Sequence, residues 1–157
     1  WYRTDTMISF STALRNAMWT TGSFKSLMDG CVIRVYGGPV PTADGVHADM
    51  PLTVDNPLLV EISKDGDGSL LTFQPGAQNG VITKNLDEIW TGDVLASGTP
   101  TFFRLVKPTD DGLESTTLYR VQGTAGIGNT DLTMTSANLI AGVPVRLGYA
   151  QLIFPAQ

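Results

Sequence analysis

The hydrophobic positions of the chain follow two periods, one before residue 30 and another after it. Five apolar residues near the start recur at intervals of three and four, the spacing of one face of an α-helix: Phe10, Ala13, Leu14, Ala17 and Met18. Serines before this stripe and a glycine after it fit the preferred capping residues of helices. The pattern predicts an N-terminal helix, followed by a second short helical turn over 23–28.

From Cys31 onward, short runs of β-branched and aromatic residues are separated by turn residues, which is typical of β-strands. The predicted strands are 31–36, 58–62, 70–73, 81–83, 88–90, 101–106, 116–122, 132–135 and 143–154. Gly148 lies in the middle of the last run and predicts a bulge or a bend there. Because no helical pattern separates the strands, antiparallel pairing is favoured over a parallel sheet.

These elements predict a mainly β fold, an antiparallel β-sandwich or barrel of jelly-roll-like character with one N-terminal α-helix. A chain of 157 residues has the usual size of one domain. We therefore expect a single domain over 1–157, with an N-terminal arm and helix over 1–29 and a β core over 30–157. The segment 39–56 has no periodicity, and loops of this length are usually functional or flexible.

The chain carries little charge for its size. Charged residues make up 16% of it, against about a quarter in an average globular chain. Either a partner covers part of the surface, or the protein uses Thr, Ser and Gly on its surface, as many β proteins do. The net charge is −5 and the basic residues are scattered singly, so we expect no nucleic-acid partner.

Cys31 is the only cysteine, which excludes a disulfide within one chain and predicts a small buried hydrophobic residue. A fold without disulfides is consistent with assembly in a reducing cytoplasm. No apolar run reaches the roughly 18 residues that a membrane-spanning helix needs, and no signal peptide is visible. We expect no membrane partner.

His47 is the only histidine, and Asp44 and Asp49 lie close to it in the sequence. The three residues could form a metal site or a general base. Metal sites generally need three or four protein ligands, and a Ser–His–Asp triad needs a strained nucleophile turn that the sequence lacks. The stronger prediction is an exposed loop histidine.

Two glycine-containing segments resemble binding motifs but depart from them in detail. An EF-hand loop starting at Asp65 would have Leu70 in place of the invariant glycine and Gly76 in place of the final glutamate. The segment therefore predicts a hairpin turn. The glycines of 123–128 lack the spacing of a dinucleotide-binding loop, and we expect a flexible or bulged loop that joins two strands.

Paired carboxylates and aromatic residues are the remaining candidates. Neighbours within a strand point to opposite faces, so Asp87 and Glu88 would not converge there, while Asp110-Asp111-Gly112 is typical of a turn.

Several aromatic residues could form either a sugar-binding platform or part of the core: Trp1, Tyr2, Trp19, Phe24 and Trp90. The terminal pair would need a surface on which to dock. The sequence thus assigns no catalytic, cofactor-binding or metal-ligating residue and predicts a protein that is not an enzyme.

Three segments together carry a resemblance to a known group of proteins. They are 12–18 (TALRNAM) with 29–41 (DGCVIRVYGGPVP), then 96–104 (ASGTPTFFR), and finally 123–134 (GTAGIGNTDLTM) with the closing run 143–155. The set resembles small virion structural proteins of tailed bacteriophages, of the capsid decoration or cement type. The loop 39–56 and the segment 108–115 are longer than that pattern.

The resemblance implies a virion protein that stabilises the shell by bridging capsomers. Its expected partners are the major capsid protein and copies of itself, as a homodimer or homotrimer, with no nucleic acid and no membrane. Its expected location is the virion, assembled in the host cytoplasm. A tail or head–tail connection protein and a carbohydrate-binding module are the alternatives, and the first of these would form rings instead of lying at capsid symmetry axes.

Overall fold

The computed structural model of the chain describes residues 8–42 and 47–153. Within them the protein is mainly β, with 36% of residues in strands and 12% in helices. The strands are β1 (Ser9–Phe10), β2 (Val32–Tyr36), β3 (Leu58–Lys64), β4 (Val81–Thr83), β5 (Trp90–Asp93), β6 (Phe102–Val106), β7 (Arg120–Gly126), β8 (Leu132–Thr133), β9 (Pro144–Leu147) and β10 (Gln151–Ile153). The predicted mainly β fold is confirmed, and Trp1, Tyr2 and Asp44 lie outside the described residues.

Two helices, α1 (Thr12–Thr20) and α2 (Phe24–Met28), precede the sheet, as the sequence predicts. The Ser11 hydroxyl oxygen accepts a hydrogen bond from the Leu14 N–H at 3.2 Å, which satisfies one of the free N–H groups that begin α1. Ser23 caps α2 through the Ser26 N–H, also at 3.2 Å. The apolar stripe of α1 is buried at Leu14 and Ala17.

The main sheet has the strand order β1-β7-β6-β2-β3-β5-β9. All neighbours in that order are antiparallel, whereas β8 adds to β7 in parallel through Ala125 opposite Leu132 and Gly126 opposite Thr133. Strands β1 and β9 form opposite edges, so the described residues form an open sheet and no closed barrel. Of the two predicted architectures, the described residues are compatible with the sandwich-like one.

The predicted bend at Gly148 is where the chain changes sheets. β9 pairs with β5 in the main sheet, and β10 pairs with β4 in a separate two-stranded sheet. Gly148 lies between them, so the run predicted as one strand over 143–154 is two strands in two layers. The last elements of the chain thereby tie the two sheets together.

The hydrophobic core lies on one face of the main sheet. Ile33 and Val35 of β2, with Leu105 of β6 and Val121 of β7, project from this face and are buried. Helix α2 packs on the same side, where Phe24 lies 5.5 Å from Phe73 between ring centroids. Burying one such side chain contributes about 1.5–3 kcal/mol, so this layer supplies much of the stability.

Two strand predictions are wrong in their extent. The run 70–73 forms only isolated bridges, at Leu71 with Cys31 and at Phe73 with Lys84. The run 116–122 begins as a strand only at Arg120 and continues to Gly126, so the first glycines of 123–128 lie in β7 and not in a loop. The reason at Gly123 is close packing, because a Cβ there would lie 2.7 Å from the Phe103 ring.

Within residues 8–42 and 47–153, no helix combines the length and the apolar character needed to cross a bilayer.

Candidate functional site

The main sheet carries buried polar side chains on the face opposite the core. Arg34 on β2 lies opposite Arg104 on β6, which in turn lies opposite Gln122 on β7. Arg120 lies two residues before Gln122 and projects to the same face, because alternate residues of a strand share a face. We call these four residues the arginine face. Arg104, Arg120 and Gln122 are each at most 2% exposed.

The long loop between β2 and β3 covers this face. The Met50 carbonyl accepts a hydrogen bond from Arg104 Nη2 at 2.7 Å, and the Pro41 carbonyl accepts one from Gln122 Nε2 at 3.0 Å. The described parts of the loop are thus fixed by buried side chains. At Pro41 and Met50 the loop lies against the sheet and does not extend into solvent. The two carbonyls accept hydrogen bonds from Arg104 and Gln122, whose donors would otherwise be buried and unpaired.

The segment 107–119 completes the cover. Arg120 binds the carboxylate of Asp110 through Nε at 2.6 Å and Nη2 at 2.8 Å. Arg34 donates to the carbonyl of the same Asp110 at 2.8 Å. The two covering loops are joined to each other where the Leu52 N–H donates to the Gly112 carbonyl at 2.8 Å. The turn lies slightly before the predicted Asp110-Asp111-Gly112, at 108–109, where the Asp110 N–H donates to the Lys107 carbonyl at 3.0 Å. The Asp110 carboxylate accepts a hydrogen bond from the Gly112 N–H at 2.7 Å, and Asp110 also anchors the arginine face.

Arg104 is the electrostatically costly member of the arginine face. Its Nε donates to Gln122 Oε1 at 2.9 Å, yet its buried Nη1 has no hydrogen-bond partner among the described residues. Burial, together with the nearby charge of Arg120, lowers the pKa of Arg104 to about 10. A buried cation of this kind organises the loops that surround it.

His47 and Asp49 lie in the same short turn, but the Asp49 carboxylate is bonded to the start of α1. Asp49 accepts hydrogen bonds from the Thr12 N–H at 2.9 Å and from its hydroxyl at 2.6 Å, so it supports the start of α1. His47 is half-buried in the short 3-10 turn His47–Asp49. No three His, Cys, Asp or Glu side chains in the described part of the chain are placed to hold a metal ion together.

The Asp65–Ser69 segment is a hairpin turn, as its composition predicts. Asp65, Gly66 and Gly68 adopt positive φ angles of 57°, 73° and 87°. The Asp67 carboxylate accepts a hydrogen bond from the Ser69 N–H at 2.8 Å, and this bonding to Ser69 lowers the pKa of Asp67. The carboxylate therefore serves the turn.

The neighbouring acidic residues Asp87 and Glu88 lie in different environments. Glu88 is buried, and its carboxylate accepts hydrogen bonds from the Thr72 hydroxyl at 2.5 Å and from Trp90 Nε1 at 2.8 Å. Asp87 is exposed. Although both residues precede β5 and do not lie in a strand, their carboxylates do not act as a pair.

An apolar cleft of about 310 Å³ opens on the core side of the main sheet. Its walls come from α2, the core face of the sheet and the segment between β9 and β10. The main contributors are Phe24, Ile33, Phe73, Trp90, Phe103 and Leu152. Its size lies at the lower end of the range for sites that bind small molecules.

Polar groups around the cleft are bonded to other protein atoms. Asp131 accepts hydrogen bonds from the Thr124 N–H at 2.8 Å and from the Thr124 hydroxyl at 2.9 Å. The Tyr149 hydroxyl donates to Gln151 Oε1 at 2.6 Å. With these atoms engaged, the cleft offers shape and apolar contact, which suits an apolar side chain or ligand.

The aromatic candidates divide between core and surface. Trp90 and Phe24 are buried, which confirms the core interpretation for both. Trp19 lies on α1 and is 89% exposed. The single cysteine, Cys31, is fully buried, and burial raises its pKa to about 11, as fits a small hydrophobic residue.

Sequence reasoning missed the arginine face and the cleft. The signal for the first was present, because Arg34, Arg104 and Arg120 each interrupt a run of strand-forming residues at a position that alternation assigns to one face. The cleft is built from residues far apart in the sequence, so no local pattern marks it.

The chain matches no known protein family, no curated protein and no solved structure.

Proposed function

We propose that this protein is a structural subunit of a phage particle, a capsid decoration or cement protein that stabilises the shell by bridging capsomers. The observation that carries the proposal is the exposure of large apolar side chains. Val54 is 100% exposed, Trp19 89% and Leu86 66%. Covering such groups on a neighbouring surface contributes about 25 cal/mol for each Å² of apolar area removed from water.

The covered arginine face supports the same role. A cement subunit contributes more association free energy when its contact loops are already ordered, because ordering them on binding would cost free energy. The bonds from Arg104 to Met50 and from Arg120 to Asp110 hold the two long loops on the sheet before any partner arrives. The protein is in this respect a preorganised binding surface.

The segments that resemble phage structural proteins also include central elements of the fold. The segments 12–18 and 29–41 include most of α1 and all of β2, and 96–104 enters β6. Strand β2 lies between β6 and β3 in the main sheet. The resembling residues therefore include the centre of the sheet together with the helix that packs near it.

The test is mass spectrometry of purified phage particles combined with reconstitution. We expect hundreds of copies per particle, and we expect particles stripped of the protein to regain heat resistance when the purified chain is added back. A handful of copies would instead indicate a tail or head–tail connection protein. Absence from the particles would refute the proposal.

Trp19 and Asp111 provide a matched pair for the reconstitution. We expect Trp19→Ala to weaken attachment to the shell, because Trp19 exposes its ring to solvent in the free subunit. Asp111→Ala changes a residue whose side chain is 61% exposed and should attach as the unmodified chain does. Equal attachment of both variants would exclude Trp19 from the contact.

A further inference from the structure

The two ends of the main sheet differ sharply in charge. The strand register places the end of β2 beside the start of β3 and of β6, since Tyr36 pairs with both Leu58 and Phe102. Phe102 in turn pairs with Thr124 near the end of β7, and Asp93 of β5 pairs with Pro144 of β9. Five described segments therefore meet at one end of the sheet: 37–42, 53–57, 94–101, 126–130 and 134–143.

We call this surface the charge-poor end, because Asp55 is the one ionisable side chain in those five segments. The opposite end is formed by segments that include 64–69, 84–89 and 107–119. Each of these contains both lysine and acidic residues. The asymmetry is a property of the fold, since the segments at each end are distant in sequence.

Large apolar side chains are exposed across the charge-poor end. Val54 is 100% exposed, Leu95 62% and Ile140 63%, and Ile127 and Val143 are also exposed. The segments that carry Leu95 and Ile140 run side by side, because the Gly98 N–H donates to the Leu139 carbonyl at 3.0 Å. Apolar side chains of the opposite end, such as Leu86 and Leu113, are interspersed with charged residues.

We propose that the charge-poor end is the surface through which copies of this chain associate with one another. The argument is electrostatic. Two copies with a net charge of −5 each repel one another, and burying a charged group in their contact would cost several kcal/mol unless it were paired. Contact through the charge-poor end removes apolar side chains from water. Within its five described segments Asp55 is the only carboxylate that such a contact would bury, and the exposed Asp93, the last residue of β5, lies beside these segments. The cores of protein interfaces are depleted of charge in the same way.

The dimensions of this end suit such a contact. Six neighbouring strands spaced about 4.8 Å apart give a width of about 24 Å. The sheet lies between the covering loops and the core layer, and layers about 10 Å apart give a depth near 30 Å. The resulting area of about 700 Å² is close to the roughly 800 Å² that each partner buries in a standard interface.

The inference rests on the proposed function for its expectation of a homo-oligomer, but it is tested on the purified chain alone. Sedimentation equilibrium of the full chain should show self-association that Leu95→Glu and Ile140→Glu weaken at least tenfold. The matched controls are Leu86→Glu and Leu113→Glu. These residues are 66% and 61% exposed and gain the same charge at the opposite end, so they should leave the association unchanged.

Either of two results would overturn the inference: a chain that stays monomeric at about 100 µM, or equal weakening by the control variants. Circular dichroism of each variant establishes that it is folded. Attachment to phage particles is measured separately. A chain that self-associates but does not attach would refute the proposed function and leave the charge-poor end as the contact between copies.

Discussion

The carboxylate of Asp110 and the guanidinium of Arg120 form a bidentate ion pair, with both side chains withdrawn from solvent. The pair links the segment after β6 to the first residue of β7. Its geometry matters because two desolvated charges stabilise a fold only when their remaining hydrogen-bonding groups are also satisfied. Here the carbonyls of Leu113 and Ala48 accept further hydrogen bonds from Arg120.

Removing the carboxylate of Asp110 should therefore destabilise the folded chain strongly. We expect Asp110→Ala to lower the free energy of unfolding by about 3–5 kcal/mol, because Arg120 would stay buried without its counter-ion. Asp111→Ala is the control, since that carboxylate lies 4.0 Å from Arg120 and is 61% exposed. It should cost at most about 1 kcal/mol, because it removes only the exposed hydrogen bond that the Asp111 carboxylate accepts from the Leu113 N–H at 3.0 Å. Urea unfolding measures both, and equal losses would contradict the assignment.

Arg104 should behave differently from Arg120. Arg104→Met removes a buried cation whose Nη1 is unpaired, and an apolar side chain of similar length can fill the space. We expect it to cost less stability than Arg120→Met, by at least about 2 kcal/mol. Denaturant unfolding of the two variants at neutral pH measures the difference, and a larger loss for Arg104→Met would refute it.

The lowered pKa of Arg104 also has a consequence for pH dependence. The folded pKa of about 10 lies below the ordinary pKa of an arginine, so the folded chain releases this proton at a lower pH than the unfolded chain does. Stability then rises with pH above 10. The unmodified chain should gain about 1 kcal/mol relative to Arg104→Met by pH 11. A constant difference between the two chains across that range would contradict the shift.

For Cys31 we expect the free energy of unfolding to change with pH in the opposite direction. Its folded pKa of about 11 exceeds the ordinary value of 9.0, so between these pH values the unfolded chain loses its thiol proton while the folded chain keeps it. Stability is unaffected by this group below pH 9 and falls as the pH rises through 11, by about 2–3 kcal/mol in all.

The control for that experiment is Cys31→Ala, which removes the thiol. Its unfolding free energy at pH 8 should be lower because of the small cavity that the variant leaves. Its slope between pH 9 and 11 should be shallower than that of the unmodified chain. Parallel slopes in urea titrations at several pH values would show that the thiol does not titrate in this way.

We expect alanine substitutions at Gly92 and Gly148 to have opposite effects on stability. A Cβ at Gly92 would overlap the backbone carbonyl of Glu61 on the neighbouring strand, whereas nothing lies within 4 Å of one at Gly148. We expect Gly92→Ala to cost about 3 kcal/mol by forcing β3 and β5 apart. Gly148→Ala should be neutral or stabilise by up to about 1 kcal/mol. Thermal unfolding distinguishes them, and similar melting temperatures would exclude the close approach.

Much of this fold is visible in the sequence, because it depends on local patterns. Strands β2 and β6 occur where β-branched and aromatic residues cluster, and α1 follows its apolar stripe closely. The bend at Gly148 was likewise predictable. In each case the local sequence biases the backbone, through side-chain preferences or through the freedom of a glycine, so the prediction needs no knowledge of what the segment packs against.

Pairing and burial could not be predicted in this way. The assignment of 70–73 as a strand failed because its backbone groups find partners in bridges at Leu71 and Phe73 and not in a continuous ladder. The extension of β7 to Gly126 depends on Phe103 filling the space beside Gly123. Both depend on contacts between segments far apart in sequence.

The arginine face shows the same limit for the candidate site. Proximity in the sequence makes Asp49 a candidate partner of His47, but the Asp49 carboxylate binds Thr12 at the start of α1. Asp110 is predicted as a turn residue and closes the turn that precedes it, yet its pairing with Arg120 follows only from the way the segment folds back over β7. The sequence predicts the turn residues, whereas the pairing of charges that are distant in the sequence follows only from the fold.

The strand order has a consequence for how the chain is made. Strand β2 leaves the ribosome early but acquires its second neighbour only when β6 has been synthesised, and β1 must wait for β7. A nascent chain that ends before residue 100 therefore lacks one strand neighbour of β2 and β7, the strand that pairs with β1. The main sheet is completed only after β9 has been translated, so the earlier strands must avoid aggregation until then.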